Sequence, residues 1–494
     1  MSKYILSIDQ GTTSCRAILY DLNFNIISTS QKEFQQYYPH EGWVEHDAME
    51  IWDSQLLCCQ NAILSANISA TAILAIGITN QRETIVAWDK STGIPIYNAI
   101  VWQDRRTAPA CEIDEIKIGK FNRLKTGLSI DAYFSAPKIR WILQSIPIAK
   151  ELSDKNQLAI GTIDTWLLWK LTQGEVFATD YSNASRTNIF NIQTLYWDQD
   201  LLSHYKIPLS ILPEVLPTIG EFGKTQSHFL GAKIPIMSMA GDQQASLFGH
   251  QCYDIGMVKN TFGTGCFLLQ NIGQDFTQSE KGLLTTIAWY ENNQVTYALE
   301  GSVFNAGSAL KWLKDELQII SEYAEMDSLS NSISSSEQVM MVPAFTGLGA
   351  PHWDMYARGM LIGITRNTSK AHIVRATLES LAFQTKDIID AMNSESDSEL
   401  KILRVDGGVS ESDFLLQNLA DILQVPVQRS MSRECTALGV ALMAAKANGA
   451  DLNFPSISSI HTFTPQISTE ERNKRYRKWL LAIEKSKDWA REEV

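Results

Sequence analysis

Residues 8–16 read Ile-Asp-Gln-Gly-Thr-Thr-Ser-Cys-Arg. Gly11 lets the chain turn tightly and bring its backbone against a ligand. Thr12, Thr13 and Ser14 offer hydroxyls and successive N–H groups, which together form a concavity for an anion. Arg16 adds a positive fork that suits phosphate oxygens. Asp9, at the end of the apolar run, is placed to hold a hydrated Mg²⁺, an ion that favours one or two carboxylates plus substrate phosphates. A second turn of this kind, Thr261-Phe262-Gly263-Thr264-Gly265, lies far along the chain, and Asp406-Gly407-Gly408 offers a third backbone contact ahead of a helix. Other residues suit a neutral hydroxylated substrate. Arg82 and Glu83 follow an apolar run, and adjacent donors and acceptors at a strand end fit vicinal hydroxyls. Trp102 falls just past another run, Tyr133 in a turn, and Asp242-Gln243 at the end of residues 234–240. An Arg-Glu pair also makes an ordinary surface ion pair, and a lone aromatic is more often core than site.

These residues need elements to hold them. Residues 4–21 and 257–271 each read as strand, turn, strand. Two such hairpins, one per half, suggest two related domains facing one ligand, with a junction near residues 249–256. Residues 73–79, 94–101 and 403–406 read as further strands. Apolar positions 374, 378, 381, 388 and 392 predict an amphipathic helix over 371–392. Ser410, with Asp413 three residues on, reads as the N-cap of a helix running to Leu423 before Pro426. A helix over 436–446 exits at Gly449. Residues 328–337 and 393–399 are polar without periodicity and read as loops. The class this predicts is α/β, with mixed sheets covered by helices on both faces.

Composition narrows the partners. The 494 residues carry 42 Lys+Arg against 55 Asp+Glu, a net charge of −13, and are 45% hydrophobic and 20% charged. That is a globular chain long enough for two or three domains. The negative balance disfavours nucleic acid and a membrane surface. An anionic substrate is left to a local pocket or a metal ion. No apolar run approaches the roughly 18 residues of a membrane span. Asp9 interrupts the first run too early for a signal-peptide core, which predicts a cytoplasmic protein. The seven Cys show no Cys-x-x-Cys and the eight His no His-x-x-x-His, so oxygen-based chemistry is expected.

The two hairpins and the Gly-Gly turn, in this order, resemble the phosphate-1, phosphate-2 and adenosine motifs of the actin-like ATPase superfold. Its two RNase H-like domains clamp a nucleotide between them. There is no Walker A sequence. Sugar kinases, chaperone ATPases and filament proteins all share the superfold, so it leaves function open. Further segments are more telling: residues 42–47 (Gly-Trp-Val-Glu-His-Asp), 79–84 (Thr-Asn-Gln-Arg-Glu-Thr), 98–103 (Asn-Ala-Ile-Val-Trp-Gln), 179–187 (Thr-Asp-Tyr-Ser-Asn-Ala-Ser-Arg-Thr), 240–245 (Ala-Gly-Asp-Gln-Gln-Ala) and 343–351 (Pro-Ala-Phe-Thr-Gly-Leu-Gly-Ala-Pro). With Asp-Gln-Gly-Thr-Thr-Ser at 9–14, they make nearly the whole chain resemble the glycerol kinases, within the carbohydrate kinases named for a Phe-Gly-Gly-Tyr motif.

That resemblance implies an N-terminal domain over 1–250 and a C-terminal one over 251–494. It implies Mg²⁺- and ATP-dependent phosphorylation of glycerol to sn-glycerol 3-phosphate, the first step of glycerol catabolism. Asp242 resembles the catalytic base, and Arg82, Glu83, Tyr133, Asp242 and Gln243 resemble the ligands of the glycerol hydroxyls. Trp102 and Phe267 resemble the walls against its carbon chain. Thr12, Thr13, Ser14 and Arg16 resemble the phosphate loop, with Asp9 and Asp242 as metal carboxylates. Thr264, Gly307 and Gly408 resemble further nucleotide contacts. Lys311 and Ser412 fall at the implied adenine rim, where glycerol kinases often carry Gln and Asn. A homodimer or homotetramer is implied as well. Finally, Ser227-His228-Phe229-Leu230 is similar to a segment of some bacterial relatives whose His is phosphorylated by the phosphocarrier protein of the sugar phosphotransferase system. An imidazole is a competent phosphoryl acceptor at neutral pH. Rival expectations are a kinase for another polyol or sugar and a non-catalytic, filament-forming ATPase.

Overall fold

The computed structural model describes residues 2–396, 399–430, 434–449 and 461–491. Ile5, Leu6 and Ile8 have no exposed surface, so the first strand is covered on both faces, as a continuous apolar run requires. This strand, β1 (Tyr4–Gln10), turns at Gly11-Thr12-Thr13 into antiparallel β2 (Ser14–Asp21), which sets Asp9 opposite Arg16. The sheet continues with β3 (Ile26–Glu33) at one edge, antiparallel to β2. On the other side β4 (Ile73–Asn80) runs parallel to β1, and β5 (Ile236–Gly241) parallel to β4. The order is β5-β4-β1-β2-β3. Helix α1 (Asp242–Gly249) leaves β5 directly, so Asp242 is its first residue.

The second half repeats the plan. β6 (Val258–Phe262) and β7 (Cys266–Gly273) form an antiparallel hairpin. β8 (Leu284–Glu291) and β9 (Gln294–Val303) extend it, with β9 antiparallel to β7. After helices α2 (Gly307–Asp315) and α3 (Lys370–Glu395), β10 (Leu403–Asp406) pairs parallel to β6. Helix α4 (Asp413–Leu423) leads to β11 (Val427–Arg429), parallel to β10. Helix α5 (Cys435–Ala447) and edge strand β12 (His461–Phe463) follow. The order is β8-β9-β7-β6-β10-β11-β12. Its β9-β7-β6-β10-β11 portion has the first sheet's arrangement of two antiparallel and two parallel neighbours, which gives the internal echo in the sequence its structural basis.

α5, although late in the chain, packs on the first sheet and on α1. Ser7 Oγ donates to Ala437 O at 2.9 Å, and Ser238 Oγ to Val440 O at 2.9 Å. A Cβ on Gly439 would stand 1.9 Å from Ala245 O, so only glycine permits this approach of α5 to α1. The two halves are thus joined through α1 and α5 as well as through the chain between α1 and β6. A separate sheet of Glu45–His46, Ala99–Ile100, Ile85–Asp89 and Leu158–Thr162 supports the Arg82–Tyr133 region.

Several sequence expectations need correction. Of the strand expected over 94–101, only Ala99–Ile100 pairs as one. Pro95 lacks an N–H and makes only an isolated bridge to Trp88. Ser410 does not cap α4. Its hydroxyl donates back to Gly407 O within a 3₁₀ turn, Gly408–Glu411, and Ser412 accepts from Leu415 N at 3.1 Å as the cap. Residues 328–331 are helical, the end of Glu325–Asn331, and α3 extends to Glu395. Within the loop expected at 393–399, residues 397 and 398 lie outside the described residues. No described helix is long and apolar enough to cross a membrane.

Candidate active site

Four chain segments meet where β1, β4 and β5 end. The Gly11 N–H donates to Ser14 O at 2.9 Å, which closes the first hairpin turn. Gln81 N donates to Gln10 O at 2.7 Å, tying the end of β4 to that turn. Trp102 Nε1 donates to Thr12 Oγ1 at 3.0 Å, and its ring meets Tyr133 edge-on with centroids 5.6 Å apart. Trp102 therefore links the Gly11-Thr12-Thr13 turn to Tyr133 and the polar residues around it.

Those polar residues form a buried charge network. Arg82 is 3% exposed and directs its fork at Glu300, Nη1 donating to Oε2 at 2.6 Å and Nη2 to Oε1 at 3.1 Å. Nη2 also reaches Tyr133 Oη at 3.3 Å, while Nε faces Asp242 Oδ1 at 3.4 Å. Arg186 donates from Nε to Glu83 Oε1 at 2.7 Å and from Nη2 to Glu300 Oε1 at 3.0 Å. Burial pushes the Glu300 carboxyl up, but Arg186 and Arg82 outweigh it and hold the group at about 2. At Glu83 burial prevails over Arg82 and Arg186, and its carboxyl lies above the ordinary value. The Glu83 backbone is left-handed, with φ 60°, a conformation costly for a residue with a Cβ and one that clusters at functional sites.

The Asp242 side chain is 34% exposed. Desolvation raises its carboxyl against the pull of Arg82 and Lys259. Asp9 is raised to about 6, by burial first, with Arg16 opposing and Asp242 adding. Gln243 Oε1 accepts from the buried Lys259 ammonium, which also donates to Thr261 Oγ1 at 3.1 Å. Burial lowers Lys259 to about 8, although Asp406 and Asp242 favour its charge. Phe267, half-buried on β7, lies opposite Thr261 and Ser302.

Thr264, Gly307 and Gly408 gather at the second hairpin. Gly263 N donates to Gly265 O at 2.8 Å, and Gly307 N to Gly263 O at 3.0 Å, so α2 starts on the turn that carries Thr264. A Cβ on Gly307 would lie 2.5 Å from Gly263 O. Gly407, at φ 89°, brings Gly408 to the same place, its own Cβ position being 2.2 Å from Phe262 O. Gly307→Ala is expected to destabilise the protein by about 1–3 kcal/mol through overpacking. It should also raise the ATP KM with little change for the other substrate, as melting curves and initial rates would show. Arg16 pairs with Glu434, which lies beside α5. Lys311 pairs with Asp315 one turn on, at 68% side-chain exposure. Ser412, beyond capping α4, donates its hydroxyl to Asp327. His228 is exposed on the short helix Ser227–Leu230, its ring 4.0 Å from that of Phe229.

The structure thus brings Asp9, Thr12, Arg82, Glu83, Trp102, Tyr133, Asp242 and Gln243 into one region, and Thr264, Gly307 and Gly408 into another. Lys259 and Glu300 escaped the sequence reading, and Arg186 was quoted without a role. The signal for Lys259 and Glu300 was a charged residue inside a strand, which must find a buried partner. A further difference is that His250, Asp406 and Cys435, from the ends of α1, β10 and α5, place ligand atoms within 4.8 Å of one another. Spacing along the chain gave no sign of that grouping.

Two α/β halves, each with a glycine-turned hairpin, meet beside the buried network of Arg82, Glu83, Arg186 and Glu300. Residues 4–249 match the N-terminal domain of the FGGY family of carbohydrate kinases, and residues 258–448 match its C-terminal domain. The chain belongs to that family. It is 52% identical to glycerol kinase 2 of Thermotoga maritima over 99% of both chains, and 51% identical to the glycerol kinase of Petrotoga mobilis over the whole of both. Plasmodium falciparum glycerol kinase, solved with ADP, superposes with a TM-score of 0.93 at 35% identity over 100% of this chain and 99% of that one. Xylulose kinase from Rhodospirillum rubrum shares the fold, with a TM-score of 0.87 at 21% identity.

Proposed function

We propose that this chain transfers the γ-phosphoryl group of ATP to a terminal hydroxyl of glycerol, giving sn-glycerol 3-phosphate and ADP, as the entry step of glycerol catabolism. The observation that carries the reading is Asp242 Oδ1 set 3.4 Å from Arg82 Nε, a carboxylate beside a hydroxyl-binding fork. Arg82, Glu83, Tyr133 and Gln243 hold the glycerol hydroxyls, and Trp102 and Phe267 wall its carbons. Asp242 accepts the proton of the attacking hydroxyl, a role that contributes about 10²–10⁴-fold. Thr12, Thr13, Ser14 and Arg16 bind phosphate oxygens from one side, and Thr264, Gly307 and Gly408 from the other. Lys311 and Ser412 stand toward the base. Phosphoryl transfer is mostly positioning and charge stabilisation, which this division supplies.

Asp242 raises the proton affinity of Asp9, and a carboxylate pair of that kind suits a hard divalent cation, so Asp9 and Asp242 fit Mg²⁺. Bound there, the ion would neutralise charge on the β- and γ-phosphates. Domains over 1–250 and 251–494, a cytoplasmic location and a homodimer or homotetramer belong to the same proposal. ADP release measured with glycerol, dihydroxyacetone, xylulose, gluconate and no acceptor tests it. Glycerol should give the highest kcat/KM by far. Preference for a sugar, or release equal to the blank, would overturn it.

His228 belongs to the proposal as a phosphorylation site for a phosphocarrier protein. Its exposure permits access, and β5 leads from that region to Asp242. Incubation with phosphocarrier, its kinase and phosphoenolpyruvate should give acid-labile phosphate and a changed rate in the wild type and no label in His228→Ala. Equal label in both, or none in either, removes it.

A further inference from the structure

Glu300 lies on β9, in the second half of the chain, yet its carboxylate ends among residues of the first half. It is 2% exposed. It accepts from both arms of the Arg82 fork, at 2.6 and 3.1 Å, and from Arg186 at 3.0 Å. Arg186 in turn holds Glu83 at 2.7 Å. The order Arg82, Glu300, Arg186, Glu83 alternates in sign and balances two cations with two anions. A bidentate contact fixes the plane of a guanidinium as well as its position. With Nη1 and Nη2 pinned on Glu300, Nε of Arg82 is left facing Asp242. Gln244 reinforces the arrangement. Its Oε1 accepts from Arg82 Nη1 at 3.3 Å, while its Nε2 donates to Ile287 O at 3.2 Å on β8.

We infer that Glu300 is a positioning residue for the hydroxyl-binding site. It is supplied by the opposite half of the molecule, and it orients Arg82 toward the substrate and Asp242. This rests on the reading of Arg82 as a glycerol ligand. A buried ion pair is weak evidence for stability, because desolvation offsets much of the attraction. Its value here is geometric. The site's cation is aimed by a group that leaves if the two halves separate, so the hydroxyl pocket is complete only in the arrangement that also brings the two phosphate hairpins together.

The test is steady-state kinetics and thermal melting of full-length wild type, Glu300→Gln and Glu300→Asp. Gln keeps the shape and one acceptor but removes the charge. Asp keeps the charge but withdraws the carboxylate by one methylene. The glycerol KM should rise about tenfold or more in both, since misplacement near 1 Å can cost up to about 10²-fold. The ATP KM should stay within about twofold, because Glu300 touches none of the phosphate-binding residues. A merely structural role would change melting without that split. Glycerol KM within twofold of wild type in a folded variant, equal rises for both substrates, or failure of both variants to fold each overturns the inference. Failure of the wild type to phosphorylate glycerol in the same assay instead defeats the underlying reading of function.

Discussion

Asp242→Asn lowers kcat by at least about 10²-fold while glycerol still binds. Asn retains the size of the side chain, and its amide oxygen can still accept from Gln243 N, which lies 2.7 Å from Asp242 Oδ1. The helix start and the end of β5 should therefore survive. What is lost is a group able to take a proton at neutral pH. The surroundings act on that group in opposite senses: desolvation raises the carboxyl, and Arg82 and Lys259 oppose the rise. Single-turnover phosphoryl transfer, with glycerol binding followed by calorimetry, separates chemistry from affinity. Near-wild-type turnover, with the substitution confirmed by mass, would remove Asp242 as the base. A loss confined to KM would make it a substrate ligand only.

The parts of this site legible in the sequence were those in which chemistry and local geometry coincide. The turn at Gly11-Thr12-Thr13 announced itself by composition, and in the structure the Gly11 backbone closes the hairpin while the Thr12 hydroxyl meets Trp102. Gly407 was legible for a similar reason, since the contact with Phe262 O leaves no room for a Cβ there. Arg82 and Glu83 were found because they follow a strand. Their partners were not, because Arg186 and Glu300 are 103 and 218 residues away and only tertiary packing delivers them. Capping shows the same limit at shorter range. Ser410 and Ser412 are both good cap types, and the choice fell to Ser412 because the turn after Gly407 uses the first hydroxyl internally. The packing of α5 on the first sheet was likewise out of reach, since alanines at helical spacing do not say which surface they meet.

Arg82→Ala should raise the glycerol KM by about 10²-fold or more and leave the ATP KM nearly unchanged. Three losses combine in that figure. The substrate loses a charged donor, and hydrogen bonds to charged groups contribute about 1.5–3 kcal/mol each. Glu300 loses two of its three cationic contacts and Tyr133 Oη its Arg82 donor, so groups built into a dry pocket are left under-paired. Removing one partner of a buried pair is correspondingly costly, about 3–5 kcal/mol, and part of it should appear as a lower melting temperature. Arg82→Lys discriminates between charge and fork. Lysine restores the charge but cannot hold Glu300 bidentately while facing Asp242. If charge alone mattered, Lys would recover most of the glycerol affinity. If the fork matters, Lys should recover the melting temperature better than the KM. Equal losses for glycerol and ATP in Arg82→Ala would instead mark the residue as a cross-brace between the two halves, with no direct part in holding the acceptor.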